Sequence, residues 1–179
     1  QVKIKCRDYV EKVAIFRDRL AVRLLNKVHV YELTHQDDNY DLRYRLKDKI
    51  YLTSPSSLLL VTWNNVVLCE GNVLQLYDFA GMKVREWVLD AAIRSARVDG
   101  GPAGGEVLLL GLENGTVLQV FVNNAFPAEL VKVTAPVVCC AVSLHRRKAS
   151  CAIAVVDAKR RIMLFDVLSK ELIFQESGA

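Results

Sequence analysis

Apolar and polar positions alternate along most of this chain, and one short pattern returns at a nearly fixed interval. It is a hydrophobic residue, any residue, a second hydrophobic residue, then Tyr or Phe. It reads Val28-His29-Val30-Tyr31, Leu74-Gln75-Leu76-Tyr77, Leu118-Gln119-Val120-Phe121 and Ile162-Met163-Leu164-Phe165. The closing aromatics stand at 31, 77, 121 and 165, so the intervals are 46, 44 and 44. Alternation of period two marks strands. A repeat of about 40 to 45 residues matches a propeller blade of four strands.

The segments between these signatures complete the pattern. The first unit predicts strands at Val13 to Phe16, Leu20 to Leu24, Val28 to Tyr31 and Leu42 to Leu46. The second predicts Leu58 to Thr62, Val66 to Cys69, Val73 to Tyr77 and Val84 to Val88. The third predicts Ala96 to Val98, Val107 to Leu112, Thr116 to Val122 and Leu130 to Val133. The fourth predicts Val137 to Val142, Ala152 to Val156, Ile162 to Phe165 and Glu171 to Phe174. No helical period survives over more than two turns, and the connections suit hairpins. Asn114-Gly115 predicts a type I′ turn. The expected fold class is all-β, a WD40-like β-propeller fragment of about four four-stranded antiparallel blades. The blades are expected near residues 8–49, 50–90, 91–135 and 136–179.

Propellers close with typically four to eight blades. Gln1 to Cys6 reads as the tail of a preceding strand, so an open half-ring completed by further chain is expected. The fourth strand of a blade is its edge. In Leu42-Arg43-Tyr44-Arg45-Leu46-Lys47 the cations on one side would discourage pairing with a second molecule.

Composition adds bounds. Hydrophobic residues make up 52% of the 179 and charged residues 25%, enough for a core and unlike a disordered chain. The net charge of +4 is weak for a nucleic-acid module, and no nucleic-acid partner is expected. Cys6, Cys69, Cys139, Cys140 and Cys151 are an odd number without a CxxC pair. Four of the five sit in apolar runs and read as buried free thiols, with Cys6 the exception, in a reducing compartment rather than a disulfide framework or zinc knuckle. No apolar run approaches the roughly 18 to 20 residues of a membrane-spanning helix, and Gln1 to Lys5 does not read as a signal peptide.

Candidate chemistry is sparse. Gly100-Gly101-Pro102-Ala103-Gly104-Gly105 is followed by Glu106 and a strand, whereas a phosphate loop needs Gly-Lys-Ser/Thr and a helix. It reads as a turn. His29, His35 and His145 lack partners at metal-ligand spacing. Gln36-Asp37-Asp38 and Asp41 lack the glycine and closing Glu of a calcium loop. No residue stands in a nucleophile elbow. The expectation is no enzyme, no catalytic, cofactor-binding or metal-binding residues, no cofactor and no small-molecule substrate. The basic clusters are Arg17/Arg19, Arg43/Arg45/Lys47/Lys49, Arg146/Arg147/Lys148 and Lys159/Arg160/Arg161. They read mainly as solvated surface, with an acidic partner or an anionic membrane as the alternative.

Several segments resemble the intraflagellar transport protein 122 family, WD-repeat subunits of intraflagellar transport complex A. They are Lys12 to Val22, Lys27 to Leu33, Val84 to Trp87, Gly100 to Val122 and Lys170 to Glu176. The resemblance implies a place in the second of two tandem propellers that precede a helical-repeat solenoid. It further implies a non-enzymatic scaffold contacting other subunits of that complex, in retrograde transport and ciliary entry of membrane proteins. The implied location is the cilium or flagellum and its basal body, on the cytoplasmic side, with any membrane contact indirect. A phosphoinositide- or anionic-membrane-binding propeller is the alternative function. The partner-binding residues stay unknown. The chain departs from ordinary WD repeats: Tyr77-Asp78 and Phe165-Asp166 stand where Trp-Asp would be, and Phe121-Val122 loses even the Asp. The usual buried polar network is therefore expected to give way to apolar packing.

Overall fold

The computed structural model describes residues 4–35, 42–52, 55–145 and 150–178. Every regular element in it is a strand, and the strands form four antiparallel sheets of four, each a meander in chain order. Blade 1 holds β1 (Lys12–Phe16), β2 (Arg19–Leu24), β3 (Lys27–His35) and β4 (Leu42–Tyr51). Blade 2 holds β5 (Leu58–Val61), β6 (Asn65–Glu70), β7 (Val73–Asp78) and β8 (Lys83–Val88). Blade 3 holds β9 (Ile93–Gly100), β10 (Val107–Leu112), β11 (Thr116–Phe121) and β12 (Ala128–Lys132). Blade 4 holds β13 (Val137–His145), β14 (Ser150–Asp157), β15 (Arg161–Asp166) and β16 (Leu172–Ser177). This is the all-β, WD40-like arrangement that the period of the sequence predicts.

The chain divides into two compact units, Gln1–Val88 and Leu89–Ala179, each a pair of blades. Within each pair the first strands adjoin, β1 with β5 and β9 with β13, and one sheet face packs on the next. In the first unit, Ala21, Val28, Val30 and Ile50 of blade 1 share a buried cluster with Val61, Val66, Leu68 and Tyr77 of blade 2. In the second, Leu109, Val117 and Val131 of blade 3 meet Cys140, Ile153, Val155, Met163 and Phe165 of blade 4. Each fully buried Val, Ile or Leu contributes roughly 1.5 to 3 kcal/mol relative to exposure. These clusters therefore outweigh any single polar contact.

The signature aromatics have a structural reason. Their residues at positions 31, 77 and 165 each directly follow a register shift between the third and fourth strands of a blade, at Val30/Tyr31, Leu76/Tyr77 and Leu164/Phe165. In blade 3 the shift comes earlier, at Val117/Leu118. Such irregularities bend a strand and raise its twist, and all three of these aromatic side chains are buried. The tyrosine hydroxyls find partners two residues back on the same strand face. Tyr77 donates to Gln75 Oε1 at 3.0 Å, and Tyr31 Oη lies 3.3 Å from His29 Nδ1.

Aspartates at the Trp-Asp position turn toward their own hairpins. Asp78 Oδ1 accepts from the Met82 amide at 2.8 Å. Asp166 Oδ1 accepts from the Ser169 and Leu168 amides at 2.8 and 2.9 Å, bonds that hold its carboxyl below the usual range. In blade 3 Asn124 Oδ1 takes over the task, accepting from Phe126 N at 2.9 Å.

Two expectations need correction. Ile4 to Cys6 form no strand. Instead Ile4, Cys6 and Val10 lie against Val22, Leu24 and Tyr31 on the open face of blade 1; residues 1–3 are outside the described set. The outer strand β16 differs from β4: it carries Leu172, Ile173 and Phe174, all exposed, and no Lys or Arg. Asn114-Gly115 is not a type I′ turn, because Asn114 lacks the positive φ that such a turn requires. Gly111 pairs with Val117, the Gly115 amide donates to Leu112 O at 3.1 Å, and only Gly115 has positive φ, at +86°. The loop is thus three residues long and closes on a glycine bulge. The β14–β15 connection repeats it with Arg160 at φ +60°, the Arg160 amide donating to Asp157 O at 3.0 Å.

Gly115 is doubly constrained. A Cβ there would stand 2.0 Å from Val133 O, in addition to the positive φ. Gly115→Val should therefore cost at least about 1 to 3 kcal/mol, read as a drop in the denaturant midpoint. An unchanged midpoint would show that the loop adopts another form.

Candidate interaction surfaces

Among the described residues no group of three or more His, Cys, Asp or Glu side chains is placed to hold a metal ion. The glycine-rich segment folds back on itself between β9 and β10. The Gly105 amide donates to Pro102 O at 3.0 Å, and a Cβ on Gly101 would meet Gly105 O at 2.5 Å. His29 is half-buried, and burial together with Lys27 and Lys49 lowers its pKa. The side chains of His35, His145 and Cys151, and the acidic run from Gln36 to Asp41, lie outside the described residues.

Cysteines divide by position. Cys69 and Cys140 are buried, and burial pushes their thiols up to about 12 and about 11, which suppresses thiolate chemistry. Their expected burial does not extend to Cys139, which is exposed. The pleat sends these adjacent side chains to opposite faces.

The basic clusters prove to be mixtures of committed and uncommitted charges. Arg19 is only 8% exposed. Its guanidinium donates to Asp18 Oδ2 at 2.8 Å and to Trp63 O at 3.3 Å, and pairs with Glu32 Oε1 at 2.9 Å. Lys47 Nζ lies 3.7 Å from Glu32 Oε2. In the Lys159/Arg160/Arg161 cluster, Arg161 is tied to the buried Asp157 through Nε at 2.8 Å and Nη2 at 2.5 Å, and donates to Thr134 Oγ1 at 2.7 Å. Arg94 is paired with Glu113. Arg146/Arg147/Lys148 lie outside the described residues. Arg17 differs: it is exposed, and its guanidinium carbon sits 5.6 Å from the ring centroids of both Phe16 and Trp63. Those rings meet edge to face at 6.0 Å.

Two other surfaces stand out. A cavity of about 510 Å³ on blade 1 is bordered by Lys5, Arg7, Lys27, Lys49, Asp8 and His29. Lys27 is tied to Asp8 at 2.5 Å, and that pairing lowers the Asp8 pKa. Apolar side chains are exposed at both the first and the last blade: Val13, Ile15 and Tyr51 on blade 1, and Ile162, Leu172, Ile173 and Phe174 on blade 4. Trp63 is the functional candidate that sequence reasoning missed. It sits in the β5–β6 hairpin, 44 residues after Arg19. That separation is close to the 46-residue interval from Tyr31 to Tyr77, so the two residues stand at nearly equivalent places in successive blades.

Asp157 shows how firmly one cation is held by the framework. Its carboxylate also accepts from the backbone amides of Lys159 and Arg161, each at 3.0 Å. Burial alone would raise its pKa, but these bonds and the Arg161 charge outweigh burial and hold it below the usual 3.8. A depressed folded-state pKa means stability that is present above about pH 3.8 and lost as pH falls through the folded value. Asp157→Ala should cost about 2 to 3 kcal/mol at neutral pH and remove that part of the acid sensitivity. A neutral-pH loss that persists undiminished below the folded pKa would show that the carboxylate charge is not responsible.

The whole chain, residues 1–179, matches the family model of the IFT122 second beta-propeller. It is 42% identical over 179 residues to the proteins named intraflagellar transport protein 122 homolog of Mus musculus and Danio rerio, covering all of this chain and 15% of each of them. The Homo sapiens protein of that name is also 42% identical over 179 residues, with 14% of its length covered. The chain thus spans about one-seventh of the length of these relatives. With the blade repeat, the four meanders and a match over every residue in agreement, the chain belongs to the IFT122 second beta-propeller family.

Proposed function

We propose that this chain is a non-enzymatic interaction scaffold within a subunit of intraflagellar transport complex A, acting in retrograde transport and in ciliary entry of membrane proteins. The observation that carries this reading is the contrast between interior and surface. Cations such as the buried Arg19 and the partly buried Arg161 are tied into the framework, while β16 presents Leu172, Ile173 and Phe174 to solvent on an edge without Lys or Arg. Exposed apolar edges of this kind are suited to pairing with another chain. Family membership supports the intraflagellar transport context; in this reading the partners are other subunits of the complex, and the place is the cytoplasmic side of the cilium and its basal body. The cationic cavity of blade 1 favours a second reading, contact with phosphoinositide headgroups.

The test uses the full-length protein. Ile173→Lys alters a side chain that is 61% exposed, so melting should be unchanged while co-elution with the other subunits is lost. Retained co-elution would remove β16 from the scaffold surface. Salt-sensitive sedimentation with phosphoinositide vesicles by that same variant would favour the second reading.

A further inference from the structure

The β1–β2 hairpin holds an arginine in a backbone conformation that suits glycine or asparagine. Its two loop residues are Arg17 and Asp18, since Phe16 pairs with Arg19, and Arg17 has φ +53°. For an L-residue with a long side chain this conformation is strained. The cation–π contacts with Phe16 and Trp63 are weak at an exposed site. The local contacts at best balance the strain, so fold stability does not explain an arginine at this position.

What the arrangement does achieve is orientation. With its guanidinium carbon 5.6 Å from both ring centroids, the Arg17 side chain is confined to the surface above the hairpin, and a guanidinium so held offers a carboxylate its bidentate fork of N–H donors. Nearby acids are already engaged: Asp18 and Glu32 pair with Arg19, and Glu32 also with Lys47. Among the described residues no carboxylate lies within ion-pair distance of Arg17. Arg45 stands opposite Glu32 in the β3–β4 register, so the patch holds four cations (Arg17, Arg19, Arg45, Lys47) against two anions (Asp18, Glu32), a net positive surface that complements an acidic side chain of a partner. Arginine beside tryptophan is also the composition of interface hot spots.

We propose that Arg17, held by Phe16 and Trp63, is the docking point for an Asp or Glu side chain of a protein partner of this blade pair. The inference rests on the scaffold reading above and gives it a specific contact. Arg17→Gly removes the side chain while fitting the positive φ, so folding should be preserved and thermal unfolding should be unchanged or slightly later. In the full-length protein this variant should bind its complex on the order of tenfold more weakly, the loss of one charge-assisted hydrogen-bonded contact. Phenylglyoxal should modify Arg17 in the isolated protein and be blocked in the complex. With Arg17→Lys, a carbodiimide should couple the new amine to an Asp or Glu of another subunit, identified by mass spectrometry. Unchanged affinity of Arg17→Gly in a complex that forms would overturn this inference alone. So would coupling only to the chain's own Asp18 or Glu32, or protection of Arg17 by phosphatidylserine vesicles and not by the complex. A wild-type protein that joins no complex would overturn the scaffold reading and this inference together.

Discussion

The structure depends on one constraint: no blade can bury its apolar faces by itself. A four-stranded meander has two faces, and both carry Val, Ile and Leu here. In each unit one face of a blade is closed by its neighbour, through the clusters centred on Val66 and Ile50 in the first pair and on Ile153 and Leu109 in the second. Hairpin hydrogen bonds fix the shape of each sheet, but their net contribution is small beside this burial. Apolar residues stay exposed on outer and first strands, among them Val13 and Ile15 on β1, Val84 and Val88 on β8, and Ile173 and Phe174 on β16.

Polar groups are organised around that packing rather than contributing to it. The aspartates at positions 78, 157 and 166 each close a hairpin of their own blade through backbone amides. The buried arginine at 19 is neutralised by carboxylates and anchored to the next hairpin through the Trp63 carbonyl. Chain-level electrostatics are therefore mild although the sequence is a quarter charged. Arg17 is the exception, and its exposure on two rings sets it apart from the solvated lysines.

Much of the fold was legible because its signals repeat. The aromatics at 31, 77, 121 and 165 set the blade count, and hydrophobic alternation located all sixteen strands to within a few residues. Long-range pairings were not legible from local pattern. Nothing around Arg19 alone distinguishes it from Arg17, because one partner, Trp63, is a blade away. The Asn114-Gly115 loop was misjudged for a subtler reason. A two-residue type I′ turn and a three-residue loop ending on glycine share the same dipeptide, and the pairing of Gly111 with Val117 decides between them. Burial of Cys139 was misjudged because adjacent strand residues face opposite ways, and only Cys140 points into the cluster shared with blade 3.

Amide hydrogen exchange of an Ile153→Ala variant of the full-length protein tests the packing account most directly. Ile153 is fully buried in the cluster shared by blades 3 and 4, and its truncation should cost about 2 to 5 kcal/mol. If blade faces stabilise one another, exchange should accelerate together in β10 and β11 of blade 3 and in β14 and β15 of blade 4. Acceleration confined to β13–β16, with blade 3 protected as before, would contradict it and show each blade to be stable by itself.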